Sequence, residues 1–238
     1  MPAERYYYPH LFSKTSIVLD ENESRHLLKV MRTDIGDTVE VVNGLGQLAI
    51  ATLTKSDKKN AILEVEDILS KETPHDLILA QGMPKISHLD FIMEKGTELG
   101  MTKLILFPAD RSEKEGLSPN QQERLEKLSI AALKQCGTLY KPTVKLMPKL
   151  KDWESISQKA FFGSLKHGST PLNHYWNDKA PSNGLMIFVG PEKGFSEKEE
   201  ECLLKLGADP VSLNKNILRA ETAALASIAL LHHWQAMS

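Results

Sequence analysis

The chain has 238 residues, of which 41% are hydrophobic, 25% charged and 6% aromatic. These proportions are those of ordinary globular proteins, and they exclude disordered, collagen-like and fibrous chains. Its 29 Lys and Arg against 31 Asp and Glu give a net charge of −2, so a nucleic-acid site must be a local patch rather than a global basic field.

The amino terminus and the cysteines narrow the class of protein further. MPAERYYYPH has no apolar signal-peptide core, and no window approaches the roughly 20 apolar residues of a membrane span, so we expect a cytoplasmic protein without membrane contact. Cys136 and Cys202 have no Cys or His partner at metal-binding or disulfide-framework spacing, which favours two buried thiols. The histidines show no ligand spacing either, so no metal is expected.

Residues 1–71 are predicted to form a small antiparallel β domain. Short alternating segments separated by turn-forming residues fill positions 37–69. One helix is predicted over residues 23–32, with three apolar side chains on its buried face: Leu27, Leu28 and Met31. Residues 71–76, which include Pro74 and have no apolar period, are typical of a linker.

Residues 76–238 are predicted to form an α/β domain, because strand-like and helix-like segments alternate along them. The apolar run LMIFVG predicts a parallel strand buried on both faces. The predicted strands lie at 76–83, 103–110, 159–165, 184–190 and 210–214, and the predicted helices at 87–100, 118–137, 196–206 and about 220–237.

The loop GPEKGF, residues 190–195, lies between a buried strand and a helix start. Gly190 and Gly194 permit close backbone approach, and Ser196 with Glu199 has the spacing of a capping box. Open α/β sheets place ligands at such strand ends. The same residues are also typical of a plain turn into a capped helix.

The stretch SLNKNILRAETAALASIALLHHW, residues 212–234, has a polar turn followed by a long apolar-periodic helix. Arg219, Glu221 and Thr222 cluster where that helix begins. As isolated residues, Glu221 and Thr222 are equally typical of side chains that complement a helix amino terminus.

These two stretches, together with EKGTELG, ADRS, KQCG, RYYYP and RHLLKVMR, resemble the bacterial methyltransferases that modify a uridine at N3 in 16S rRNA, members of the SPOUT superfamily. The motifs occur in the family's order along nearly the whole chain. The resemblance implies a PUA-like β-barrel domain at residues 1–71 and a trefoil-knotted α/β methyltransferase domain at 76–238. It also implies S-adenosylmethionine as cofactor, the small ribosomal subunit as partner, and a homodimer.

The resemblance implies specific cofactor and catalytic residues. The cofactor-binding candidates come from the two loops of the knot and are Gly190, Glu192, Gly194, Leu213, Ile217 and Leu218, with the loop 163–167 as a further wall. Because the N3 proton must leave during methyl transfer, a base or a cation is needed beside it. The candidates are Arg219, Glu221 and Arg111, although Arg111 could instead form a surface ion pair with Glu113 or Glu115.

RNA contact is expected from a local cluster in residues 1–75, where acidic residues outnumber basic ones. The candidates are Arg5, His26, Lys29 and Arg32. Of the adjacent Tyr6, Tyr7 and Tyr8, at least one is expected to be exposed, because consecutive strand residues alternate between faces.

The chain departs from the family pattern at four positions, namely Thr138, Lys193, Asn214 and Asn216. Lys193 stands where family members have glycine and brings a positive charge near a sulfonium. Two other interpretations therefore stay open: an RNA-binding or ribosome assembly factor that kept the fold without catalysis, and a SPOUT methyltransferase acting on another RNA position.

Overall fold

The computed structural model describes residues 4–12, 15–57, 59–166, 168–177 and 179–237. The chain divides into two compact units. The first combines Met1–Thr73 with Ile130–Lys141, and the second combines Pro74–Ser129 with Pro142–Ser238. The sequence predicts two contiguous domains, whereas in the structure a later segment of the chain, Ile130–Lys141, joins the first unit.

The first unit is built on a five-stranded sheet in the order β1-β3-β4-β5-β2. Its strands are β1 Arg5–Tyr7, β2 Ser16–Val18, β3 Thr38–Val42, β4 Gln47–Ser56 and β5 Ala61–Ser70. Strands β3, β4 and β5 pair antiparallel, and the β4–β5 ladder has two register shifts, which bend a sheet. Strands β1 and β2 lie at its two edges and do not pair with each other, so the described strands form a curled, open half-barrel. Strand β1 pairs parallel with β3, which departs from the predicted antiparallel domain. The later segment packs Leu133 and Leu139 against Val42 and Leu48.

The helix predicted over residues 23–32 differs from the structure. Helix α1, Glu21–Arg25, begins at the N-cap Asp20 and passes into a π-helical turn, His26–Val30. In that turn the Met31 N–H donates to the His26 carbonyl, five residues back. The wider turn rotates Met31 away from Leu27, so Leu27 is buried whereas Met31 is 44% exposed.

The second unit is built on a seven-stranded sheet in the order β10-β12-β9-β11-β6-β7-β8. Its strands are β6 Leu77–Gly82, β7 Lys103–Phe107, β8 Thr143–Leu146, β9 Lys159–Gly163, β10 Thr170–Pro171, β11 Leu185–Val189 and β12 Asp209–Ser212. Every pairing among these strands is parallel. The predicted α/β class is therefore confirmed. The sequence prediction missed β8, an exposed edge strand without an apolar run.

Helices cover both faces of this sheet. They are α2 Ile86–Glu98, α3 Pro119–Cys136, α4 Glu197–Lys205 and α5 Ala220–Ala236. Side chains of β11 alternate between two cores: Ile187 joins the core that contains α2 and α5, and Phe188 joins the core that contains α4. This two-sided burial explains the continuous apolar run of β11.

One further expectation, that of two buried thiols, has an outcome in the structure. Cys136 and Cys202 are free but only half-buried, so the prediction of two buried thiols was wrong. No helix among the described residues is long and apolar enough to cross a membrane. Those residues also contain no group of three or more Cys, His, Asp or Glu side chains suited to a metal ion.

Candidate functional site

A cavity of about 480 Å³ lies at the carboxyl ends of β9, β11 and β12, where open parallel sheets place ligands. Three loops form most of its wall, one after each of these strands. Its lining residues include Leu165, Lys166, Gly190, Glu192, Lys193, Gly194, Leu213, Ile217, Leu218 and Ala220. Its size and its mixed lining of apolar side chains, charges and exposed backbone are typical of a small-molecule site.

All six cofactor-binding candidates line this one cavity: Gly190, Glu192, Gly194, Leu213, Ile217 and Leu218. Arg111 lines it too, as do residues 163–166 of the further loop, while His167 lies outside the described residues. Arg219 and Glu221 are not among its described lining residues. They flank Ala220, which does line the cavity. The structure thus brings together segments with 17 or more residues between them in the chain.

The loop 190–195 is fixed at both of its ends. The Gly194 N–H donates to the Pro191 carbonyl at 2.8 Å, and Gly194 has a φ of 68°, which favours glycine. A Cβ on Gly190 would lie 2.9 Å from the Gly194 carbonyl carbon, so only glycine fits there. Beyond the loop, Ser196 and Glu199 form the predicted capping box of α4.

Gln81, which the sequence analysis did not single out, holds the start of the same loop from the neighbouring strand β6. It is completely buried in β6, and its side-chain amide lies within hydrogen-bonding distance of three backbone carbonyls, those of Gly82, Val189 and Gly190, at 3.0, 3.2 and 2.9 Å. A polar residue inside the apolar run LILAQG was the available signal. The bonds to Val189 and Gly190 join residues more than one hundred positions apart.

The loop 213–218 is held more lightly. The Asn216 N–H donates to the Asn214 side-chain oxygen at 2.9 Å, which makes an Asx turn. Asn214 is not in the left-handed region, since among described non-glycine residues only Arg32 has a positive φ. Ile217 is 80% exposed although it lines the cavity, and Leu165 on the neighbouring loop is 75% exposed.

Arg111 makes a contact that the sequence did not suggest. Its Nη1 donates to the Lys193 carbonyl at 2.8 Å and so supports the loop 190–195. The alternative ion pairs are not those observed, because Glu113 pairs with Lys85 at 3.9 Å and Glu115 with Lys149 at 3.5 Å.

A second cation at the cavity, Lys166, is neutralised by Glu200 at 2.5 Å, and this contact raises the pKa of Lys166.

Two carboxylates among the described residues line the cavity, Glu200, which pairs with Lys166, and Glu192. The Glu192 Oε1 accepts from the Lys85 N–H at 2.9 Å and contacts His88 Nδ1 at 2.9 Å. Burial acts to raise the pKa of Glu192, but these hydrogen bonds outweigh it, and the pKa lies below its ordinary value. Glu192 is therefore ionised at neutral pH and brings a negative charge to the cavity.

The RNA-binding candidates lie in the first unit, where two of them contact carboxylates and two are exposed to solvent. Arg5 pairs with Glu40 at 2.7 Å, and His26 lies 3.5 Å from Glu4. Lys29 and Arg32 are exposed.

The neighbouring tyrosines are more buried than expected. Tyr6 belongs to the core, and burial raises its pKa to about 12. Tyr7 and Tyr8 are half-buried, so the three tyrosines do not all face inward, but none is exposed as expected. Both pack at the margin of apolar clusters, Tyr7 beside Val42 and Tyr8 beside Phe12.

Comparisons with known proteins match both parts of the chain to RNA methyltransferases. A family model described as an RNA methyltransferase domain matches residues 71–232, and one described as an RNA methyltransferase PUA domain matches residues 19–66. The ribosomal RNA small subunit methyltransferase E of Buchnera aphidicola is 28% identical over 88% of this chain and 85% of its own length. The Bacillus subtilis protein of the same name is 28% identical over 89% and 87%.

Solved structures extend the similarity to three dimensions. The crystal structure of ribosomal RNA small subunit methyltransferase E from Neisseria gonorrhoeae, bound to S-adenosyl methionine, superposes with a TM-score of 0.84 at 28% identity. The match covers 97% of each chain. The similarity therefore includes both units and is not confined to one motif.

Proposed function

The chain belongs to the RNA methyltransferase family, and from that premise we propose that it is an S-adenosylmethionine-dependent enzyme that methylates a uridine at N3 in 16S rRNA. The observation that carries the proposal is the single cavity lined by residues 190–195 and 213–218. Relatives named ribosomal RNA small subunit methyltransferase E over most of this chain's length supply the substrate class.

The residues of the cavity fit S-adenosylmethionine. Backbone groups of residues 190–195 can hydrogen-bond an adenine edge, while Leu213, Ile217 and Leu218 offer apolar surface to its ring. The Glu192 carboxylate matches the positive charges of the amino and sulfonium groups. Lys193 adds an opposing charge, which favours a position of its flexible ammonium in solvent.

When bound, S-adenosylmethionine supplies a methyl group on a sulfonium, which needs neither a metal nor a covalent enzyme intermediate. The protein's tasks are to hold the uracil in line with that methyl and to accommodate the N3 proton. Glu221 is our candidate proton acceptor, and Arg219 is our candidate for stabilising the anionic uracil ring. Both flank cavity-lining Ala220, with Arg219 at the N-cap of α5.

Arg111 has a second role in this proposal. One of its nitrogens supports the Lys193 carbonyl, and its remaining N–H donors are directed to substrate phosphate or to the uracil anion. Residues 1–71 act as the RNA-contacting domain through Lys29 and Arg32, with Arg5 and His26 joining when RNA competes for their carboxylate partners. Residues 76–238 form the catalytic domain, in a knotted homodimer that acts on the small ribosomal subunit in the cytoplasm.

Transfer of labelled methyl from S-adenosylmethionine to small-subunit particles that lack the modification tests the proposal. We expect 3-methyluridine as the product, identified by mass spectrometry of the released nucleosides. Arg219→Ala should lower turnover roughly a hundredfold with a smaller effect on cofactor affinity. Arg124→Ala, a change of an exposed arginine outside the cavity lining, is the control.

Two results would contradict the proposal in different ways. A protein that binds S-adenosylmethionine but methylates another RNA position has a different substrate. A correctly folded protein that shows no cofactor binding in calorimetry is a non-catalytic relative.

A further inference from the structure

His88 lies in the first turn of α2, directly beside the two carboxylates that the site has brought together. Its Nδ1 is 2.9 Å from Glu192 Oε1 and 3.6 Å from Glu221 Oε2. Glu192 belongs to the cavity loop 190–195, and Glu221 belongs to the first turn of α5. One imidazole nitrogen thus contacts side chains from both segments that shape the cavity.

The hydrogen-bond chemistry fixes the direction of the shorter contact. An ionised carboxylate only accepts hydrogen bonds, so Nδ1 must carry the hydrogen that it shares with Glu192. The Lys85 N–H at the N-cap of α2 donates to the same Glu192 oxygen, and α2 has no side-chain cap of its own. Glu192 is therefore held by two donors from the start of one helix.

Glu221 is less well satisfied than Glu192. Its side chain is 14% exposed, and its Oε2 is buried without a hydrogen bond from any described residue; His88 Nδ1 lies 3.6 Å from that oxygen. Two carboxylates that converge on one nitrogen repel each other unless a donor or a cation stands between them. His88 is the group in that position.

We propose that His88 is a positioning residue of the methyl-donor site, which ties the loop 190–195 to the start of α5 through Glu192 and Glu221. This inference rests on the proposed function and deepens it by adding a residue outside the cavity lining. Without His88, the two carboxylates push apart, Glu192 keeps only the Lys85 N–H, and the two segments lose their common link. Cofactor affinity then falls, and Glu221 loses its fixed position at the same time.

Calorimetric titration of S-adenosylmethionine into three variants tests the inference. His88→Ala should raise the Kd roughly tenfold, the effect of losing one charge-assisted contact. His88→Lys, which places an ammonium donor within reach of both carboxylates, should stay within about threefold of wild type. His75→Ala, the same change at an exposed histidine outside the cavity lining, should bind like wild type.

Amide hydrogen exchange supplies a readout that does not depend on the ligand. In His88→Ala, exchange should rise in both 190–195 and 218–223, whereas His88→Lys should protect both segments. A general loss of folding would raise exchange throughout the second unit and would not be corrected by lysine.

The inference and the proposed function fail in different ways. If wild type binds S-adenosylmethionine and His88→Ala binds equally well, or if lysine behaves like alanine, His88 does not position the site. If wild type binds the cofactor but transfers no methyl to the small subunit, the proposed function is wrong and the His88 comparison still stands. Absence of cofactor binding in wild type overturns both.

Discussion

The two loops that line the cavity, 190–195 and 213–218, differ in how many contacts with the rest of the protein hold them in place. The loop 190–195 is fixed by Gln81 from below, by Arg111 from the side and by the capping box of α4 beyond it. The loop 213–218 has one Asx turn and leaves Ile217 exposed. The wall formed by loop 190–195 is therefore preformed, whereas the wall formed by loop 213–218 gains its contacts from a ligand in the cavity.

The largest effect should come from crowding the preformed wall. Gly190→Ala places a Cβ 2.9 Å from the Gly194 carbonyl carbon, which cannot move without displacing the loop. We expect the rate of methyl transfer to fall roughly a hundredfold, since misplacing reacting groups by about 1 Å has effects of that size. Gly194→Ala meets nothing within 4 Å and suffers only the strain of its φ, about 1–2 kcal/mol. Equal losses in both variants would show that crowding is not the cause.

Removing the support beneath the same wall should give the next largest effect. Gln81→Leu leaves the Val189 and Gly190 carbonyls without their buried donor, which should lower the free energy of unfolding by about 2–3 kcal/mol in urea denaturation. Gln122→Leu, at an exposed glutamine of α3, is the matched control and should change it by less than about 0.5 kcal/mol. A Gln81 variant as stable as its control would remove the distinction between the two loops.

A substitution in the loop 213–218 should affect cofactor binding more than stability. Ile217→Ala removes an 80% exposed side chain, so thermal unfolding of the free protein should stay within about 0.5 kcal/mol of wild type. Cofactor Kd should rise about threefold to tenfold, because apolar surface covered by the ligand is lost. A marked loss of stability without any change in Kd would mean that Ile217 serves the fold and not the cavity.

The smallest expected effect is a pH dependence from Glu192. Since its pKa is lowered in the folded state, its stabilising contribution is present above its ordinary value near 4.5 and is lost as pH falls through the lower folded value. Unfolding measured between pH 6 and 3 should therefore show a loss in wild type that Glu192→Gln lacks. Superimposable profiles for the two proteins would exclude this contribution.

The sequence predicted the fold well because its signals are local or carried by spaced motifs. The apolar run at 185–189, the capping box at Ser196 and the alternation of elements gave the α/β class, and the family resemblance is confirmed by the matching family models. The same resemblance named six residues that line one cavity. Their roles, like the knot and the dimer, stay predictions.

What the sequence could not supply are contacts between distant positions. Gln81 meets Gly190 and His88 meets Glu192 across more than one hundred residues, and neither spacing has a period to detect. The π-helical turn at His26–Val30 was missed because its apolar pattern imitates an ordinary helix. The contacts of Arg5 with Glu40 and of His26 with Glu4 also depend on how strands and turns meet in space.

The exposed apolar side chains of Leu165 and Ile217, which come from two different loops of the cavity, have a thermodynamic consequence. Water that surrounds such surface raises the heat capacity of the free protein, and a ligand that covers it releases that water. Complex formation should therefore show a negative heat-capacity change, with an enthalpy that becomes more favourable on warming.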